Sequence, residues 1–304
     1  MPSPKATAVA VFIALALTAS ACSSHSETAN GRLAGVSDGN IHELPTYFAV
    51  KGVKIDSPTL KRAQKAGKLI IGAKDDQPFL GLVDADGKRS GFDIEIAKMV
   101  AAYLGFSTDQ IEFRTVDSRS REAAISKGDI DLYVGTYTIN DERKKHVGFA
   151  GPYFMAGADL LVRMTDTEIV SPQSLAGKKV CSIIGSTSLR EIKKPKYGAM
   201  TIELSKYSKC VQALLSNEVD AVTTDDAILK GYIAQHPNKL RILEQPFTKE
   251  PYGIGMSKAD KALREAVNDA IAVHRGNGDT RKAYYATLGL SGSVYPEDPP
   301  LERY

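Results

Sequence analysis

Three groups of residues in this 304-residue chain have the types and spacing to hold a charged small molecule. In "VGTYTINDERKK" an apolar strand runs into Thr136 and Thr138, and Arg143 follows five residues after the second. A guanidinium matches a carboxylate with two parallel hydrogen bonds, and strand-end hydroxyls can donate to the same oxygens. In "GSTSLREI" Ser188 and Glu191 are spaced as a capping box, which would put Gly185, Ser186 and Thr187 at a helix N-terminus, where backbone amides favour an anion. In "VDAVTTDD" two carboxylates, Asp225 and Asp226, close an apolar strand. One of them could hold an ammonium and the other cap the next helix, and spacing alone does not choose between them. Each group has an ordinary reading as a turn or cap; together an arginine for a carboxylate and an aspartate for an ammonium describe the main-chain end of a free α-amino acid.

Other chemistries find little support. There is no GxSxG, GxxxxGK[ST] or GxGxxG, and His25, His42, His146, His236 and His274 are scattered without ligand spacing, so no catalytic, metal or cofactor site is expected. A net charge of +3 with 25% charged residues does not suggest a nucleic-acid partner.

These residues need elements to position them. Lys5, an apolar run from Ala6 to Leu17 and then "TASACSS" have the layout of a secretory signal over residues 1–21, too short to span a bilayer. Cys22, after Ala19-Ser20-Ala21, resembles a lipidated bacterial lipobox cysteine, which places the protein on the extracytoplasmic face of the membrane. Residues 22–50 read as a flexible tether. Folding begins near Ser57, with a Ser cap, Pro at the first helical position and Gly67 as a stop. Strand "KLIIGA", helix "FDIEIAKMVAAYLGF", strand "IEFRTV", a helix from Arg121 and strand "IDLYVGT" follow. A second run repeats the plan from "GKKVCSIIGS" through "DAILKGYIAQH".

Strands alternating with helices imply two parallel sheets covered on both faces, hence two α/β lobes. "AAISKGDIDLYVGT" and "ALLSNEVDAVTTDD" echo one another as helix, polar turn and strand, and strand ends are where open α/β sheets bind ligands. We assign residues 51–157 and 254–304 to lobe 1 and 158–253 to lobe 2, with Gly253 and Gly255 marking a strand that bends or crosses. The Pro-rich tail from Ser291 is expected to be peripheral. Cys181 and Cys210 are an even pair in an exported chain, and their disulfide would stabilise the fold by about 3.5 kcal/mol in the chain-entropy model.

"GFDIEIAKMVAAYL", Gly91 to Leu104, meets each constrained position of the signature of the family 3 extracellular solute-binding proteins of polar amino-acid ABC transporters, and the chain resembles that family from about Leu69 to Gly289. The resemblance implies a periplasmic-binding-protein-like type II fold, two lobes joined by two crossover strands with the ligand in the cleft. It implies that Arg143, Thr136 and Thr138 take the ligand α-carboxylate, Thr187 adds to it, and Asp225 rather than Asp226 takes the ammonium; Ser186, at the same helix N-terminus as Thr187, is counted with the ligand-binding residues. Lys74 stands where cation and glutamine binders tend to place Asp, which argues for glutamate or aspartate, because a buried carboxylate is costly without a counter-charge. Arg190 is a second cation candidate or a solvated helix face. Where the family often stacks an aromatic over the ligand this chain has Gln77, with Phe79 as a substitute. The implied partners are the permease subunits of an ABC transporter and, through the N-terminal lipid, the membrane, with the protein a monomer. The rival readings are a cyclohexadienyl-dehydratase-like enzyme on the same fold and an amino-acid-sensing lipoprotein.

Overall fold

The computed structural model describes residues 43–303, all within one contact unit, Gly39–Tyr304. The signal segment, Cys22 and most of the tether lie outside the described residues. The first helix, Pro58–Ala66, starts and stops on its own sequence: Ser57 Oγ accepts from Leu60 N, Pro58 occupies the first turn, and Gly67 takes the left-handed conformation (φ 69°).

Two five-stranded sheets carry the rest, beside a small three-stranded sheet of Asp76–Gln77, Gly81–Val83 and Arg89–Ser90. In spatial order the first is Ile111–Thr115, Leu69–Ala73, Leu132–Tyr133, Glu250–Met256, Gly148–Ala156; the second is Met200–Leu204, Lys179–Ile183, Ala221–Asp225, Ala158–Arg163, Leu240–Ile242. The two orders follow one plan, so the echo between "AAISKGDIDLYVGT" and "ALLSNEVDAVTTDD" is architectural. In both turns the residue that leaves the helix, Gly128 (φ 74°) or Asn217 (φ 62°), is left-handed.

The sheets are mixed, not parallel as expected. Glu250–Met256 runs antiparallel to both its neighbours, and so does Ala158–Arg163. The cause is the crossover: a strand that enters one lobe from the other meets the sheet from the opposite end. Gly148–Ala156 and Ala158–Arg163 are one continuous path broken at Gly157. A Cβ there would lie 2.7 Å from Pro246 Cβ and 2.8 Å from the Thr248 carbonyl oxygen, so the two crossover segments touch at a point only glycine permits.

Helix Phe92–Tyr103 is buried along most of its length, from Phe92 through Ala102, and packs under the first sheet with helices Lys261–Gly276 and Asp279–Tyr285. Its entry residue Gly91 (φ 120°) is irreplaceable on steric grounds, since a Cβ would stand 2.4 Å from the Leu80 backbone. The disulfide Cys181–Cys210 is formed, with Cα atoms 5.5 Å apart, and ties strand Lys179–Ile183 to helix Tyr207–Leu215. The Pro-rich tail is pinned to the first lobe. Glu302 N donates to Gly151 O (2.8 Å), Arg303 donates to Asp269 Oδ1 (2.6 Å) and Glu265 Oε2 (2.9 Å), and Arg275 donates to Pro299 O (2.7 Å). At the other end Val50 N donates to Ala102 O (2.9 Å) and Tyr47 meets the His274 ring edge-on, so both flanks strap the same helical layer. Among the described residues no helix is long and apolar enough to cross a membrane.

Candidate functional site

The carboxyl ends of the two central strands face one another, and the space between them, about 240 Å³ between atom surfaces in all, is narrow. Lobe 1 lines it with Ser118, Arg121, Thr136, Thr138 and Arg143, and lobe 2 with Ser186, Thr187, Ser188, Tyr207, Asp225 and Ile228. Six of the residues singled out from sequence, Thr136, Thr138, Arg143, Ser186, Thr187 and Asp225, therefore converge on one cleft.

Each is held by a local arrangement. Thr136 has φ 46°, a strained conformation for a β-branched residue, and its N–H donates to Asp93 Oδ2 at 2.9 Å. Asp93 also accepts from Tyr153 Oη (2.7 Å) and is fully buried, so burial pushes its pKa up to about 7. The Gly91–Leu104 signature thus has a physical content: its glycine lets the helix start against Leu80, and its aspartate holds a cleft threonine. Arg143 lies in the short helix Asp141–Lys144, whose cap is Asn140, Oδ1 accepting from Arg143 N at 3.0 Å. Its guanidinium is buried and donates from Nη1 to Thr138 O (2.7 Å) and from Nη2 across the cleft to Gly185 O (3.0 Å). Burial and the neighbouring Arg121 push its pKa down to about 9, which leaves it charged at neutral pH.

On the other lobe the helix starts two residues earlier than the Ser188–Glu191 spacing suggested. Ser186 is the N-cap, its Oγ accepting from Leu189 N at 3.0 Å, and the helix is Thr187–Ile192. The frame differs because Gly185 (φ 86°) completes the turn at the strand end, and a Cβ on it would be 2.8 Å from the Arg119 backbone of lobe 1. Ser188 is thereby free to face Asp225, with Oγ 3.3 Å from Oδ1. Asp225 ends its strand inside the cleft and accepts from Tyr252 Oη at 2.7 Å. Burial, then the nearby Glu250 carboxylate, pushes its pKa up to about 7. Asp226 points elsewhere, to Gly157 N (3.2 Å) and Lys230 Nζ (2.9 Å). Thr187 Oγ1 donates to Glu250 Oε2 (2.7 Å).

The remaining candidates stand away from the cavity. Lys74 is 5% exposed, and its ammonium donates to Ser118 Oγ at 2.7 Å, so one hydroxyl separates it from the cavity. Burial, with repulsion from Arg121 second, pushes its pKa down to about 7. Gln77 is buried behind Thr136, Nε2 to Oγ1 3.2 Å. Phe79 (φ 62°) is half-buried against the lobe 1 core. Arg190 is exposed and lines the outer groove with Glu142, His146 and Lys193.

Sequence reasoning missed Ser118, Arg121, Tyr207, Glu250 and Tyr252. Arg121 is the most consequential, being 2% exposed, stacked 4.0 Å from the Tyr137 ring centroid and placed on the cavity wall. Its Nη2 donates to Gly185 O at 3.3 Å. The only signal for it was its place at a helix start, where an arginine is most often solvated. Arg121 and Arg143 make one wall cationic, with Lys74 behind Ser118 and Glu122 nearby (3.5 Å from Arg143 Nε), while Asp225, with Glu250 behind it, makes the opposite side anionic. Among the described residues there is no cluster of three or more His, Cys, Asp or Glu placed to hold a metal.

The family model described as bacterial extracellular solute-binding proteins, family 3, matches residues 69–287. The chain is similar to the glutamate-binding protein GluB of Corynebacterium efficiens, 36% identical over 251 residues that cover 79% of this chain and 85% of that protein. It is similar to the glutamine-binding protein of Geobacillus stearothermophilus, 42% identical over 205 residues, 67% of this chain and 78% of that one. Among solved structures, an ancestral arginine-binding protein bound to arginine matches with a TM-score of 0.69 at 37% identity, covering 73% of this chain and 99% of the other.

Proposed function

Because the chain belongs to family 3 of the bacterial extracellular solute-binding proteins, we propose that its cleft binds a free α-amino acid, L-glutamate or L-aspartate before L-glutamine, and delivers it to the permease of an ABC transporter. In this reading the protein is a receptor and not an enzyme, a monomer tethered outside the cytoplasmic membrane by lipid on Cys22. The observation that carries it is the charge layout: Arg143 and Arg121 on one lobe face Asp225 on the other across the narrow cleft between the lobes. The α-carboxylate would lie against Arg143, Thr136 and Thr138, with Ser186 and Thr187 closing over it. Its ammonium would sit on Asp225, whose second oxygen Tyr252 already holds. A side-chain carboxylate would meet Arg121 and Ser118, backed by Lys74. The names of the two relatives support glutamate and glutamine as the first ligands to test.

The arrangement also accounts for lobe closure. A ligand bound at both ends bridges groups on separate lobes, so its binding energy is available only when the lobes meet, with the bend at the two segments that cross at Gly157. Calorimetric titration of the protein, stripped of carried-over ligand by unfolding and refolding, tests the reading against glutamate, aspartate, glutamine, asparagine, arginine and histidine. Tight binding of an acidic amino acid that Arg121→Ala abolishes while glutamine binding survives is the expected result. Preference for arginine or histidine would remove the acidic-ligand assignment, and absence of binding to any of the six would remove the ligand class.

A further inference from the structure

The run Lys74-Asp75-Asp76-Gln77 divides its side chains between two lobes. Lys74 and Gln77 turn into the lobe 1 wall, to Ser118 and Thr136. Asp75 and Asp76 turn the other way and meet lobe 2. Asp75 Oδ2 pairs with Lys206 Nζ at 2.7 Å, and Asp76 Oδ2 accepts from Ser208 N at 3.1 Å, so both bonds reach the start of helix Tyr207–Leu215. The Asp76 carbonyl oxygen accepts from Tyr232 Oη on helix Asp226–Gln235. None of Asp75, Asp76, Lys206, Ser208 or Tyr232 lines the cavity. One turn of the second helix is shaped for this contact: a Cβ on Gly231 would stand 2.5 Å from the Pro78 carbonyl oxygen. Gly231 has no positive φ to explain it and occupies a helix interior, where glycine is the least favourable residue after proline. Close approach of the other lobe supplies the reason for it.

We propose that Asp75 and Asp76, with Lys206 and Tyr232 opposite, form a clasp that holds the lobes closed without touching the ligand and so sets how long a bound solute stays. These are positioning residues, and the proposal rests on the reading that the cleft binds an amino acid. The physical argument is one of populations. Apparent affinity is the intrinsic affinity scaled by the fraction of molecules in the binding-competent closed form, so a group that acts on closure alone changes every ligand's affinity by the same factor. A group that touches the ligand changes one ligand more than another. The clasp as proposed acts after the ligand has docked to one lobe, so its loss is expressed in the dissociation rate.

Stopped-flow kinetics with glutamate and with glutamine separate the two cases. Lys206→Ala is expected to raise the dissociation rate roughly two- to fivefold for both ligands, as befits a partly exposed pair, with association unchanged. The exchanged pair Asp75→Lys with Lys206→Asp is expected to return the rate to within about twofold of wild type, which loss of packing would not do. Gly231→Ala is expected to keep or raise the melting temperature of the ligand-free protein, since alanine favours the helix, while weakening both ligands at least about tenfold. A change in glutamate-over-glutamine selectivity, an unchanged dissociation rate, failed rescue by the exchanged pair, or wild-type affinity in Gly231→Ala overturns the clasp. Should no free amino acid bind the wild-type protein, the ligand class falls and the clasp is read without ligand. Small-angle scattering of ligand-free Gly231→Ala has then to show a larger radius of gyration than wild type, and an equal radius overturns it.

Discussion

Asp225→Asn sets function against stability at a single atom. Asp225 is 4% exposed, receives Tyr252 Oη at 2.7 Å and Ser188 Oγ at 3.3 Å, and has the Glu250 carboxylate for a neighbour. Burial moves its pKa from 3.8 to about 7. A group whose folded pKa is raised binds more protons folded than unfolded between those two values, so stability falls as pH rises through that window and the full penalty stands above it. At about 1.4 kcal/mol per unit the penalty of the ionised carboxylate at pH 8 has a ceiling of about 4 kcal/mol, and relaxation of the surroundings reduces it to roughly half. Asparagine keeps the shape and the acceptor oxygen without the charge. Urea unfolding of ligand-free protein should therefore show the variant more stable than wild type at pH 8 by about 2 kcal/mol, with the difference shrinking towards pH 4. Calorimetric titration of the same samples should show amino-acid affinity reduced at least about a hundredfold, because the ammonium loses a buried counter-charge. A variant that binds like wild type refutes the ammonium site, and a stability difference that does not change with pH refutes the account of the buried charge.

The cationic wall makes a complementary set of predictions. Arg143→Ala should abolish binding of every amino acid while leaving a cooperative unfolding transition, checked by titration and by thermal denaturation; retained affinity would remove Arg143 from the carboxylate site. The pH profile of affinity should depend on the ligand. Asp225 has to be ionised, so affinity for glutamine and glutamate alike should fall below about pH 7, approaching tenfold per unit. Lys74, pushed down to about 7, loses its proton above that pH, so glutamate alone should also weaken on the alkaline side, with a shallow slope because Ser118 stands between Lys74 and the cavity. Identical profiles for the two ligands would remove Lys74 from side-chain recognition. Cys181→Ser with Cys210→Ser should cost about 3 kcal/mol in urea unfolding, and a smaller loss of under about 1 kcal/mol would show that the strand-to-helix tie is redundant.

What the sequence disclosed of the site follows the reach of each residue's cause. Thr136, Thr138 and Asp225 were legible because strand ends, where ligands gather, are marked by apolar runs that stop at polar residues, a pattern contained within a few positions. Arg121 and Glu250 were not, since their burial comes from contacts outside their own elements. Arg121 lies on Tyr133 of the next strand and on Tyr137 in the loop after it, and reaches Gly185 O on the other lobe, while Glu250 accepts from Thr187 of the other lobe's helix at a crossover whose partner strand is Gly148–Ala156. Nothing in "SRSREAA" or "TKEPYGI" distinguishes a buried charge from a solvated one.

The mixed sheets escaped for a related reason, because strand direction depends on the path between lobes and not on the strand's own residues. Gly231 joins the two cases. Its neighbours read as an ordinary amphipathic helix, and only the Pro78 carbonyl oxygen from the facing lobe explains the missing side chain. On the proposed reading of two lobes that close on a ligand, the residues that belong to one lobe are written in local patterns. Those that belong to the closed state are defined by what they meet across the cleft, so they surface only when both lobes are present together.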